Sequence, residues 1–127
     1  MAGSLSILPK RWSLFNMNVN NKDIELDPEG YLIHPEDWDH DVASKLAESE
    51  DIGLNDEYWK VFDFMRKFYD EKGVAPDVRH TTKQMAEDFN VDKKAAKALL
   101  FTMFPYGYVK QACKVSGMRR PRGWSTG

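Results

Sequence analysis

The sequence predicts a mainly α fold: a small helical bundle with an N-terminal β-hairpin, a helix-turn-helix-like corner and a flexible C-terminal arm. Three observations carry the prediction. Tyr58, Val61, Phe62, Met65, Phe68 and Tyr69 recur at intervals of three and four, which lays one apolar stripe along a helix. Gly53, Gly73, Pro76, Pro105 and Gly117 divide the chain after residue 39 into pieces of helix length. Asn20-Asn21 lies between apolar Val19 and Ile24, and asparagine tolerates the left-handed backbone that a tight hairpin turn needs.

Each element has a local reason. Residues 1–16 show no period and read as a loose arm. The hairpin runs from Met17 to Leu26, and Asp27, Pro28 and Gly30 signal a second turn before the short apolar run Tyr31, Leu32 and Ile33. A lone hairpin is marginal in water, so this one must lie against helices. From Asp39 to about Glu50, Val42, Ala43, Leu46 and Ala47 fall at helical spacing. Asn55 caps the striped helix, with Asp56 and Glu57 in its first turn and Gly73 at its end. Thr81 or Thr82 is expected to cap a short helix through Phe89, with Met85, Ala86 and Phe89 inward. Asn90, Val91 and Asp92 form a turn, with Val91 expected inward. Lys93 to Phe104 is the next helix, and Tyr108 to Val115 the last. The predicted layout is therefore an arm over 1–16, a folded unit over 17–117 and a flexible basic arm over 118–127.

Composition bounds the function. The 127 residues are 42% hydrophobic and 30% charged, enough for one core. No apolar run is long enough to span a bilayer, and Pro9, Lys10 and Arg11 break the start where a secretory signal would be continuous. The expectation is a soluble cytoplasmic domain with no membrane partner. With one cysteine, Cys113, no intrachain disulfide can form and no cysteine-based metal site is available. His34, His40 and His80 share no ligand spacing, so no metal site is expected. No glycine-rich phosphate loop occurs, and no cofactor is expected. The net charge of −2 conceals a division. Residues 1–57 carry 13 acids against 4 bases, and residues 58–127 carry 7 acids against 14 bases. A basic end of that kind either meets an anionic partner or pairs with the chain's own acidic half.

Two constellations bear on chemistry. Residues 81–104 have the shape of a helix-turn-helix, in which Lys93, Lys94 and Lys97 could reach phosphates; this alternative is a DNA-binding regulator, and the plainer reading is an ordinary helical corner. Cys113 lies between Lys110 and Lys114 in sequence, with Arg119, Arg120 and Arg122 following. Cations lower a thiol's pKa and make the nucleophilic thiolate available. Burial as a small hydrophobe is the other outcome, and the sequence leaves both open.

The C-terminal stretch is the most specific part of the chain. Phe104-Pro105, Gly107, Lys110-Gln111-Ala112-Cys113-Lys114, Gly117, Pro121 and Gly123 resemble the signature of the DsrC/TusE family, the gamma-subunit-like partners of dissimilatory sulfite reductase and the TusE sulfur-relay proteins. Asp27 to Leu32, Trp38, Trp59, Arg66 to Tyr69, Ala75-Pro76 and Arg79 match it upstream in order and spacing, over about residues 18–124. The resemblance implies a sulfur carrier whose arm cysteine takes up sulfur as a persulfide and enters a partner's site. It implies as partners the alpha and beta subunits of dissimilatory sulfite reductase, or a DsrEFH/TusBCD-type relay complex. Cys113 matches the family's upstream cysteine. Trp124 stands at the arm-cysteine position, Tyr108-Val109 replace a usual Pro-Ala, and Tyr58 stands where a histidine is common. Indole carries no sulfur nucleophile. The expectation is therefore a non-catalytic relative that binds or regulates sulfur-relay partners. Trp124, Arg119, Arg120, Arg122, Lys110 and Lys114 would make the contact, and Cys113 is a possible weak sulfur-binding thiol.

Overall fold

The computed structural model describes residues 16–121. Strands β1 (Met17–Val19) and β2 (Lys22–Ile24) pair antiparallel with Met17 opposite Ile24 and Val19 opposite Lys22. Asn20 and Asn21 both take positive φ, 54° and 65°, the double left-handed turn that matches strand twist. A second loop closes where Leu26 bridges Leu32. Inside it the Asp27 carboxylate accepts the amides of Glu29 and Tyr31, at 2.8 and 3.0 Å.

Four α-helices follow: α1 (His40–Ser49), α2 (Asp56–Lys72), α3 (Val78–Asp88) and α4 (Lys93–Met103). Each begins on a side chain that accepts from its own first turn. Asp39 takes the Val42 amide, Asn55 those of Glu57 and Tyr58, Asp77 that of His80, and Asp92 that of Ala95. The cap of α3 corrects the sequence reading. Thr81 and Thr82 sit inside the helix and are buried, and Thr82 spends its hydroxyl on the carbonyls of Val78 and Arg79. Gly73 ends α2 in the left-handed conformation, at φ 77°, as expected. Between α3 and α4, Asn90 takes φ 55°, and Val91, expected inward, is 40% exposed.

The core forms where these faces meet. Val42, Ala43, Leu46 and Ala47 of α1, Val61, Phe62 and Met65 of α2, Met85 of α3, and Ala96, Leu100 and Met103 of α4 are all buried. Burying each larger apolar side chain contributes roughly 1.5–3 kcal/mol. Phe104 fits between Tyr58 and Phe62, meeting Tyr58 edge-on at 5.3 Å and 88°. Val19 and Ile24 fold the hairpin onto the helices. The last segment, Tyr108–Cys113, is wound as a π-helix and continues as a helical turn to Val115. Tyr108, Ala112, Cys113 and Val115 are buried in the same hydrophobic core. Packing continues past Gly117 to Met118, which is 1% exposed although the arm was expected to begin there.

Candidate functional site

The segment from Gly107 to Pro121 carries Lys110, Cys113, Lys114, Arg119 and Arg120 of the residues selected from the sequence. Gly107, at φ 111°, turns the chain inward. Tyr108 is fully buried, and its hydroxyl donates to the Pro76 carbonyl at 2.6 Å and meets the Thr81 hydroxyl at 2.8 Å. Burial holds its phenol well above the usual range. Gln111 is also fully buried. Its carbonyl accepts the Tyr106 amide at 2.9 Å and its amide donates to Glu50 at 3.2 Å. Lys114 pairs with the other Glu50 oxygen at 2.9 Å and lies 5.3 Å from the Tyr31 ring centre. Tyr31 in turn donates to the Val109 carbonyl at 2.8 Å, and burial is the largest cause raising its phenol to about 12. No buried side-chain nitrogen or oxygen among the described residues lacks a partner.

Cys113 is fully buried in this segment. Burial pushes its thiol well above the ordinary range. The two lysines flanking it in sequence do not offset that: Lys110 is exposed, and Lys114 is held by Glu50. The thiol in this arrangement is a protonated core group rather than a thiolate.

The exit of the C-terminal segment is clamped by two residues that sequence reasoning matched to the family pattern without giving them a role. Trp38 donates its indole N–H to the Val115 carbonyl at 2.8 Å. Arg66 donates to the carbonyls of Ser116 at 3.1 Å and Pro35 at 2.8 Å, with its guanidinium 4.7 Å from the Trp38 ring centre. Both side chains press on Gly117, which takes φ +81°. A methyl group there would lie 2.3 Å from Trp38 Cδ1 and 2.8 Å from an Arg66 terminal nitrogen. Gly117 was the one signal available in the sequence, and it reads there only as a helix stop.

Beyond the clamp, Arg119 donates to the Ile33 carbonyl at 3.0 Å and Arg120 pairs with Glu29 at 2.6 Å. Both are exposed. Arg122 and Trp124 lie outside the described residues. Lys93, Lys94 and Lys97 are exposed on the first turns of α4, away from this segment in the chain, with Lys93 beside Arg79, His80 and Lys83. The histidines have separate partners: His34 meets Glu25 at 2.7 Å, His80 meets Asp77 at 2.8 Å, and His40 packs between Trp38 and Trp59. Among the described residues no group of three or more His, Cys, Asp or Glu is placed to hold a metal ion. No helix among them is long and apolar enough to cross a membrane.

Comparison with known proteins agrees with this geometry. The family model described as "DsrC like protein" matches residues 18–124. The chain is 39% identical over 105 residues to the sulfurtransferase TusE homolog of Haemophilus influenzae, covering 83% of this chain and 95% of that one. It is 40% identical over 100 residues to the sulfurtransferase TusE of Escherichia coli K12, covering 79% and 91%. Among solved structures, the oxidized gamma-subunit of the dissimilatory sulfite reductase from Archaeoglobus fulgidus superposes with a TM-score of 0.76 at 30% identity, covering 86% of this chain and 98% of that one. DsrC of Allochromatium vinosum gives 0.75 at 35%, covering 86% and 96%. By the extent of the family match and the identity to its relatives, the chain belongs to the DsrC/TusE family of sulfur-relay proteins.

Proposed function

We propose that this chain serves sulfur relay as a binding or regulatory member rather than as a persulfide carrier. It would dock its basic C-terminal arm into the sites that carrier relatives use. The observation that supports this most is the state of its one sulfur. Cys113 is fully buried with its thiol pushed up by burial, and the position that the family resemblance gives to the arm cysteine is Trp124. A carrier needs an accessible thiolate to attack a sulfur donor, and neither position supplies one. What remains for a partner is a basic, aromatic arm. Arg119, Arg120 and Arg122 flank Trp124 on its N-terminal side, and Arg and Trp are the residue types that most often anchor interfaces. The partners proposed are sulfite reductase alpha and beta subunits or a sulfur-transfer complex of the DsrEFH/TusBCD type.

The test has two arms on the full chain. Incubation of the folded protein with a persulfide donor, followed by intact mass spectrometry, is expected to show no gain of sulfur. A sulfur adduct lost in Cys113→Ser would overturn the non-carrier reading. Pull-down against the two kinds of partner is expected to retain the chain and to weaken in Trp124→Ala. Retention unchanged by that substitution would remove the arm from the mechanism.

A further inference from the structure

Helix α2 has a second face besides the one that meets the C-terminal segment. Arg66 and Tyr69 belong to the first: Arg66 bonds the Ser116 carbonyl, and Tyr69 lines a cavity with Arg119 and Pro121. On the other, Phe64 and Phe68 line an open groove of about 470 Å³ against Gln84 and Asp88 of α3. Phe64 packs on the core, while Phe68 stands off it, with its ring centre 5.9 Å from Phe64 and 5.0 Å from His80. Lys60, Asp63, Lys67 and Glu71 rim the groove and are exposed. Among the described residues none of these four takes part in an ion pair or a side-chain hydrogen bond. Asp88, the remaining carboxylate there, accepts from Gln84.

The order of these residues is self-complementary. At ~100° per residue, Lys60 and Glu71 run along the middle of the stripe, Asp63 and Lys67 along one side, and Phe64 and Phe68 along the side nearer α3. A twofold axis across the helix reverses its direction and keeps each side of the stripe on its own side. It sets Lys60 against Glu71 of a second copy, Asp63 against Lys67 and Phe64 against Phe68, each pair twice. The three pairs share one midpoint, between residues 65 and 66, to within half a residue, or ~1 Å of helix rise. A parallel copy would instead oppose Lys60 to Lys60 and Glu71 to Glu71.

We propose that this face of α2 is an interface between two copies of the chain, packed antiparallel. The phenylalanine rings of both copies meet along one side, and Lys60 with Glu71 and Asp63 with Lys67 pair across the rest. One helix face buries little area, so the dimer is weak and reversible, and salt weakens it further. Arg66, Tyr69 and the C-terminal segment lie on the far side of α2, so the inference does not depend on what the arm binds.

Sedimentation velocity of the full chain at low salt, from ~10 μM to ~1 mM, tests it. The expected result is a concentration-dependent shift from monomer toward dimer. Asp63→Lys and Lys67→Asp, each alone, set like charges opposite each other twice, and each should weaken the dimer at least about tenfold. An equimolar mixture of the two variants restores both pairs in a mixed dimer, and should associate like the unaltered chain. Pairing within one helix cannot produce that recovery, because each variant still carries its own reversed charge. Lys60→Glu mixed with Glu71→Lys repeats the test at the ends of the face. A chain that stays monomeric over the whole range would overturn the proposal. So would a dimer that the single reversals leave intact, or mixtures that stay monomeric for both pairs of variants.

Discussion

Gly117 and Gly73 form a matched pair from which the clamp on the C-terminal segment can be weighed. Both hold positive φ, +81° and +77°, so Ala at either position suffers the left-handed backbone cost of about 1–2 kcal/mol. Their surroundings differ. A Cβ at Gly73 would meet nothing within 4 Å, whereas one at Gly117 would lie 2.3 and 2.6 Å from atoms of the Trp38 ring and 2.8 Å from Arg66. Neither neighbour moves freely, because Trp38 is bonded to Val115 and Arg66 to Ser116 and Pro35. Forcing a methyl into such a contact costs about 1–3 kcal/mol more. Gly73→Ala should therefore lose about 1–2 kcal/mol and Gly117→Ala about 2–5 kcal/mol. Urea unfolding with unchanged slope is the assay. A gap of ~2 kcal/mol between the variants separates their midpoints by about 1 M at a typical slope of ~2 kcal/mol/M. Equal midpoints would refute the reasoning, since the backbone cost alone would then account for both.

Two further outcomes follow from the buried segment. Burial raises the Cys113 thiol in the folded state, so the stability it contributes is complete below the unfolded thiol's value, near ~8.5, and is lost as pH rises past it. Unfolding free energy should fall by up to about 1.4 kcal/mol per pH unit above that point from this group, and Cys113→Ala should remove that slope; a slope that persists undiminished in the variant assigns it elsewhere. Tyr108→Phe deletes the hydroxyl that serves the Pro76 carbonyl and Thr81, leaving a buried acceptor unpaired, and should lose about 1–3 kcal/mol by the same assay. A neutral result would show that the carbonyl finds another donor.

The fold was largely legible, and its misreadings share one cause. The α2 stripe, the Asn20-Asn21 turn and the cap at Asn55 are local patterns, and the structure follows them. Thr81 and Thr82 look like caps by residue type, yet Asp77 is placed four residues earlier and its carboxylate takes the free amide of His80. Threonine was then free to turn inward, where Thr81 meets Tyr108 across 27 residues of sequence. The last helix is harder still. Lys110, Gln111, Lys114 and Ser116 make it look half-solvated, but Gln111 and Ser116 are fully buried because Tyr106, Glu50 and the Cys113 carbonyl satisfy them. A polar residue's partner comes from tertiary structure, and periodicity carries no record of it.

The same non-local pairing decides between the two fates that the sequence leaves open for Cys113. Its thiol and the root of the C-terminal arm occupy one short segment, with Val115 and Ser116 held by Trp38 and Arg66. Exposing the thiol by lifting that segment would break both contacts together. A neutral hydrogen bond contributes about 0.5–1.5 kcal/mol and one to a charged group about 1.5–3, so opening costs roughly 3 kcal/mol before any apolar surface is counted. At a tenfold change per ~1.4 kcal/mol, fewer than about one molecule in a hundred is open at a time. In the open molecules the arm has lost its fixed point of departure. Exposure of the Cys113 thiol and the anchoring of Val115 and Ser116 therefore compete for the same contacts, and the closed arrangement keeps the thiol buried.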